Sequence, residues 1–435
     1  MLKHGRGRAV LFLREQPDTT PYRDVVWGAC SEYWQFDSQL EDERSPYLFD
    51  VLEATGEPSY YADRAAQALD SFGTDREPEG MFRTQLIRLA ALLTRNGVSD
   101  LREPIYHGTA AISEEPYGFS HICEEIFAMD GVAGYWRLAE QLRHRPPPYD
   151  ERRAEISLLN SLSEHLGESV GVAALDATAA NLPARRRYLD EVRKVRVKQE
   201  ARATRKQKQK KNMLPPTLAD VRAYIQAPPE KKVLKPRMKS MNPAVKWGLI
   251  LDLTAETDRA RQLRYLDILR TSPYEVFPWN PERVLPLIRQ TDDERVAWQA
   301  TSLLENTPHP SIRTAALELL TRKERMPHGI ELLAKNPGEG DLVRIENVLR
   351  EEWDDWNFEF ICRGIRRYIK FHPSHASVPL LLACYERLAC SFCRNRLVDM
   401  LVERNALPLP LQEECAYDAD GDTRDLFRPA PRLPQ

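Results

Sequence analysis

The chain has little glycine, 19 of 435 residues, and none of the spacings in which glycine cradles a phosphate or exposes a nucleophile. Gly-x-x-x-x-Gly-Lys, Gly-x-Gly-x-x-Gly and Gly-x-Ser-x-Gly are all missing, which removes the phosphate-loop, dinucleotide-binding and nucleophile-elbow enzymes. Strand signals are equally scarce: few runs alternate Val, Ile, Thr and aromatics, and no Asn-Gly or Asp-Gly lies between strand-like runs as a hairpin needs. The seven cysteines (30, 123, 362, 384, 390, 393, 415) are sparse and odd in number, which suits reduced thiols rather than a disulfide framework. No apolar run approaches the ~18 residues of a membrane span, and Ala9 to Leu13, after a basic start, is too short for a signal-peptide core. A cytoplasmic protein with no membrane partner is expected.

What the chain has is helix signal, recurring every 15 to 20 residues. Hydrophobic residues make up 42% and charged residues 29%, enough for two or three domains or one continuous array of helices. Ser45-Pro46, then Leu48, Val51 and Leu52, then Gly56 reads as cap, first-turn proline, apolar stripe and terminal glycine. Phe82, Leu86, Leu89 and Leu93 run to Asn96-Gly97 in the same way. Glu124 to Met129, Tyr135 to Leu142 and Ile156 to Leu166 continue the pattern, broken at Pro146-Pro147-Pro148.

The pattern is densest from Pro281 to Leu320, where two consecutive helices repeat each other. Val296, Ala300, Leu303 and Leu304 supply one face. Ile312, Ala316, Leu319 and Leu320 repeat it after a break at Asn306 to Pro310. So short a turn makes the two helices antiparallel, and neither buries its stripe without further neighbours. The expected fold is all-α, an antiparallel helical solenoid interrupted by a basic helix and linker. Its expected parts are residues 1–183, a basic helix and Pro-rich linker at 184–240, a second helical part at 241–428 and a Pro-rich tail at 429–435.

Val284 to Ile288, Asp292-Asp293, Val296, Ala300, Leu303-Leu304, Ile312-Arg313 and Ala316 together resemble the HEAT-repeat family. The resemblance covers 281–320 and extends over 241–428, departing where Ala297 replaces the family's usual arginine. The run from Cys390-Ser391-Phe392-Cys393-Arg394 through Glu413-Glu414-Cys415 to Asp422-Thr423-Arg424 is similar to the end of uncharacterised bacterial HEAT-like proteins, which carry no function to transfer. The resemblance implies a non-enzymatic scaffold that binds a protein partner on its surface. Trp353-Asp354-Asp355-Trp356 admits the alternative of a HEAT-like enzyme, an alkylated-base DNA glycosylase or a lyase, since those glycosylases use aromatics and a carboxylate along a concave face.

Charge supplies the strongest functional signal. The formal net charge is only −3, yet Arg185 to Lys246 holds 20 basic and 5 acidic residues. Within it, residues 184–197 keep an apolar stripe of Tyr188, Leu189, Val192 and Val195, whereas 198–212 has no apolar side chain larger than alanine and is a projecting helix or disordered. Arg193, Lys194, Arg196, Lys198, Arg202, Arg205, Lys206, Lys208, Lys210 and Lys211 are the candidate nucleic-acid-binding residues, for DNA or RNA; the alternatives are a solvated helix or linker whose charge offsets the acidic remainder of the chain, or contact with an acidic protein or membrane surface. No aromatic follows Tyr188 in the helix, so contact is expected with the phosphate backbone rather than with stacked bases.

No cofactor, metal or catalytic residue is expected. Cys390-x-x-Cys393 with Cys384 and Cys415 has the ligand type for zinc but only one two-residue knuckle, so buried thiols are the expected reading. His121, Cys123, Glu124 and Glu125 lack metal spacing and read as one helical turn.

Overall fold

The computed structural model describes residues 1–37, 40–41, 43–72, 80–110, 116–143, 153–211, 215–228, 241–270, 276–289 and 292–428, with backbone alone at 80–81, 116–118, 153 and 206–211. Apolar spacing near 3.6 has its expected result: the described residues form helices that pack on their neighbours and no strand. The triple proline at 146–148 lies outside the described residues.

By proximity the chain divides into two units, Met1–Lys211 with Cys390–Phe392 and Pro408–Gln435, and Asn212–Ala389 with Cys393–Leu407. The expected boundaries follow composition. The units follow proximity, with 184–211 in the first and 241–428 divided between both.

The first unit contains α1 (Arg8–Glu15), α2 (Arg23–Ser31), α3 (Ser45–Ala54), α4 (Pro58–Asp70), α5 (Gly80–Arg95), α6 (Arg102–Thr109), α7 (Pro116–Arg143), α8 (Arg153–Leu166), α9 (Glu168–Ala179) and α10 (Pro183–Lys211). Alternate helices touch: α1 packs on α3, α3 on α5, α5 on α7 and α4 on α6. Leu48, Val51 and Leu52 of α3 are buried as their spacing implies, and Gly56 ends the helix at φ +72°. Ser45 is the first helical residue and not the cap; its hydroxyl donates to Gln85 O on α5 at 2.8 Å. The helices expected at Glu124 and Tyr135 are two, taken together here as α7 and parted at Gly131, whose φ of +55° and ψ of −132° are not helical.

The second unit contains α11 (Leu218–Gln226), α12 (Pro243–Ala255), α13 (Arg259–Arg270), α14 (Leu285–Arg289), α15 (Glu294–Leu304), α16 (Pro310–Leu319), α17 (Met326–Leu333), α18 (Asp341–Arg350), α19 (Asp355–Phe371) and α20 (Val378–Arg387); α21 (Ser391–Val402) falls here from Cys393 onward. Sequence neighbours pair, α14 with α15 and α16 with α17, while α13, α15, α17 and α19 pack side by side in that order. Asp293 caps α15 by accepting from the Arg295 and Val296 amides. Successive turns are tied by Asn336, which donates to Thr307 O at 3.0 Å and accepts from the His309 amide at 2.7 Å.

The repeated stripe at 296–320 is buried except at Leu303 and Leu320, which are half-buried. Val296, Ala297, Ala300, Thr301 and Leu304 face the interior of α15, whereas Leu303 is half-buried. Ala297 is itself fully buried, and α13, α14 and α17 all pack on α15.

The C-terminal helices α22 (Leu409–Cys415) and α23 (Gly421–Phe427) belong to the first unit. They close on the N-terminus through the Ala419 amide, which donates to Gly5 O at 2.8 Å, and through Arg8 and Glu414, paired at 2.7 Å.

Candidate nucleic-acid interface

Helix α10 runs 29 residues without interruption, so its length is about 43 Å at ~1.5 Å per residue. Pro183 opens it, and Ala, Arg, Leu, Glu, Lys and Gln, all good helix formers, fill most of it. Its first half is anchored: Leu189 and Val192 are buried, Tyr188 lies against Trp136 with ring centroids 6.3 Å apart, and Arg185 stacks over the same indole at 4.6 Å. The indole belongs to α7, and the helix also packs on α8 and α9. Past Val195 the helix continues for about 24 Å of axial rise. Of the two expected alternatives, projecting helix or disorder, the backbone takes the helix up to Lys211.

The ten predicted residues separate by their surroundings. Arg193 pairs with Asp176 at 2.9 Å, and Arg196 pairs with Glu200 at 3.0 Å and Glu168 at 3.3 Å, so these two serve the seat of the helix. Lys194, Lys198, Arg202 and Arg205 are exposed. The side chains of Lys206, Lys208, Lys210 and Lys211 lie outside the described residues. Basic residues in the last turns also complement the negative end of the helix dipole, which favours a helix that ends in lysines.

A second constellation lies on α15, α17 and α19. Glu331, wholly buried, receives Arg363 Nε on one oxygen and Arg367 Nη1 on the other, each at 2.6 Å. Arg367 also lies 2.7 Å from Glu305 and donates to Asn306 Oδ1 at 3.0 Å. Burial, reinforced by the neighbouring Glu331 charge, pushes the Glu305 carboxyl above its ordinary value. Over these groups Trp298 stacks with Phe360, centroids 4.3 Å apart, and carries Arg363 at 4.3 Å. His328 contacts Thr301 Oγ1 at 3.0 Å and Glu294 Oε1 at 2.6 Å. The Glu294 carboxyl is held below its ordinary value: burial raises it, but the hydrogen bond and charge of His328 outweigh that.

Sequence spacing could not assemble this set, because its members come from three helices. One signal was available, a glutamate inside α17, where residues 327 to 334 are otherwise apolar or small apart from His328. The tetrad Trp353 to Trp356 does not join it as a unit. Trp353 Nε1 donates to Val348 O at 2.9 Å, Asp354 caps α19, and Trp356, 56% exposed, meets Phe360 edge-on at 5.4 Å.

The group from His121 to Glu125 disperses. His121 and Glu124 point outward, 3.6 Å apart, while Cys123 enters the core and Glu125 pairs with Arg95 at 2.9 Å and Arg88 at 3.2 Å. Cys384 and Cys415 are buried in different units. Cys362 and Cys384 contact each other, and burial first, then that contact, pushes the Cys362 thiol well up. A buried thiol of this kind is neither a nucleophile nor a ready ligand at neutral pH.

Set against known protein families, curated proteins and solved structures, the chain matches none of them. No described helix is long and apolar enough to cross a membrane.

Proposed function

We propose that this protein is a non-enzymatic scaffold of HEAT-like, solenoid-forming helix pairs that holds nucleic acid by its phosphates through α10. One observation carries the reading: α10 is anchored over its first half and then extends with Lys198, Arg202 and Arg205 exposed. Arg185 to Lys211 holds 13 basic residues against 3 acidic ones, and three of the basic side chains, Arg185, Arg193 and Arg196, are engaged by the seat. A polyanion that binds the rest releases its counterions, which is the main source of sequence-independent affinity. The protein-partner side of the scaffold is supported by Trp356, exposed at the edge of the Trp298–Phe360 pair.

The enzyme alternative needs a carboxylate free to act. Glu331 is buried and clasped by two arginines and reads as a structural ion, Asp354 of the Trp353 to Trp356 stretch caps α19, and the exposed Glu294 is engaged by His328 and Arg325.

The test is anisotropy of labelled DNA and RNA across a salt series. Binding should be insensitive to sequence and fall steeply with salt. Replacing Arg202, Arg205, Lys206, Lys208, Lys210 and Lys211 by glutamine should flatten the slope of log affinity against log salt, by up to about 0.9 for each duplex phosphate that is no longer neutralised. Failure of the wild type to bind any nucleic acid at low salt would falsify the reading.

A further inference from the structure

The way charge is distributed around α10 changes along its length. In the anchored half, Tyr188, Leu189, Val192 and Val195 take one side against α8 and α9, and Lys194 lies on the other. Lys198, Arg202 and Arg205 continue that outward stripe at i, i+4 and i+7. Beyond Arg205 the one-sidedness ends. The helix backbone continues to Lys211, and at about 100° per residue Lys206 and Lys210, four apart, share the face in line with the seat, while Lys208 and Lys211 fall on the opposite side. Glu200 is the only acid among residues 198–211.

A helix that lies across a single phosphate ridge, or on an acidic protein surface, needs charge on one side only. Charge on opposite sides suits a helix with anionic walls to both left and right. The major groove of B-form DNA has that geometry. It is about 12 Å wide with a phosphate strand along each edge, and a helix with side chains is about 10–12 Å across. The A-form duplex of RNA has a major groove too deep and narrow for a helix, and a single strand has no groove. The lack of aromatics in the projecting part fits as well, since nothing there could stack on an unpaired base.

We propose that the projecting part of α10 lies in the major groove of duplex DNA, between the phosphates of the two strands. This rests on the nucleic-acid reading and adds the class of nucleic acid and the mode of docking. The anchored stripe of Lys194 and Lys198 meets one backbone at the groove's edge, and the residues beyond enter it. Discrimination comes from the shape of the duplex, not from base edges. The helix must remain unbroken, because a bent rod cannot keep both walls in reach.

The experiment measures the full-length protein against duplex DNA, duplex RNA of the same sequence and the DNA single strand at one salt concentration. A preference for duplex DNA on the order of tenfold is expected. Methyl green, which occupies the major groove, should displace the protein, whereas netropsin in the minor groove should not. Ala203→Pro supplies the decisive arm. It interrupts the exposed helix beyond its seat while leaving every charge in place. The variant should melt like the wild type and lose its preference for duplex DNA. Equal binding of all three nucleic acids, or an Ala203→Pro variant with the preference intact, overturns groove docking and leaves phosphate binding standing. No binding to any of them at low salt overturns both.

Discussion

Arg367 donates from Nη1 to Oε2 of Glu331 at 2.6 Å, joining residues 36 apart in sequence on α19 and α17. Glu331 has no exposed surface, and its other oxygen takes Arg363 Nε. A carboxylate in such a place survives only because both of its oxygens are charge-paired. The pair ties two helices of the second unit, and Glu305 extends it to the end of α15.

Glu331→Gln should therefore destabilise the second unit by about 1–3 kcal/mol, because it takes a charge partner from Arg367, which keeps Glu305, and from Arg363, which is 36% exposed. Urea denaturation followed by circular dichroism measures this. A loss under about 1 kcal/mol would mean that solvent replaces the carboxylate.

Glu305 should behave in the opposite sense. Its folded-state carboxyl titrates above the ordinary value, so between the unfolded and folded values the native state binds more protons than the unfolded one. Stability attributable to this group falls as pH rises through that window, starting near the ordinary value of 4.5. The difference in melting temperature between wild type and Glu305→Gln should shift in favour of the variant as pH is raised from 4 toward neutrality, about pH 7. A difference independent of pH contradicts the assignment.

Gly7 and Gly28 make a contrasting pair. A Cβ at Gly7 would lie 1.9 Å from Glu414 O, so Gly7→Ala must push α22 off the N-terminus and should cost about 1–3 kcal/mol. At Gly28, inside α2, the nearest atom would be Trp34 Cζ2 at an ordinary 3.7 Å. Gly28→Ala should then stabilise by about 0.5–1 kcal/mol through helix propensity. Thermal melts of the two variants that move in the same direction would contradict the closure of the two termini.

Within α15, Leu304→Asp should unfold the repeat, with a cost of at least about 4 kcal/mol for an unpaired charge between packed helices. The neighbouring Leu303→Asp should cost clearly less, because Leu303 is half-buried. Equal costs in chemical denaturation would restore Leu303 to the core.

The order of helices follows from local chemistry. Proline at the first turn of α4 and α16, Asp293 before α15 and the glycine after α3 each fix a backbone conformation through their own covalent structure, so they are readable one residue at a time. The basic run and its lack of apolar residues past 198 are legible for the same reason. Tertiary structure decided what no period encodes. Glu331 reads as a surface residue by type, and only the meeting of α15, α17 and α19 buries it beside Arg363 and Arg367. Leu303 matches the stripe by spacing, yet α13 and α17 cover the side of α15 centred on Ala297, Ala300 and Leu304. The seat of α22 against Gly7 and Arg8 joins residues more than 400 positions apart, as the 406 between Arg8 and Glu414 attest. Such contacts arise from the relative placement of whole helices, which depends on the sum of all their faces and leaves no mark at any single position.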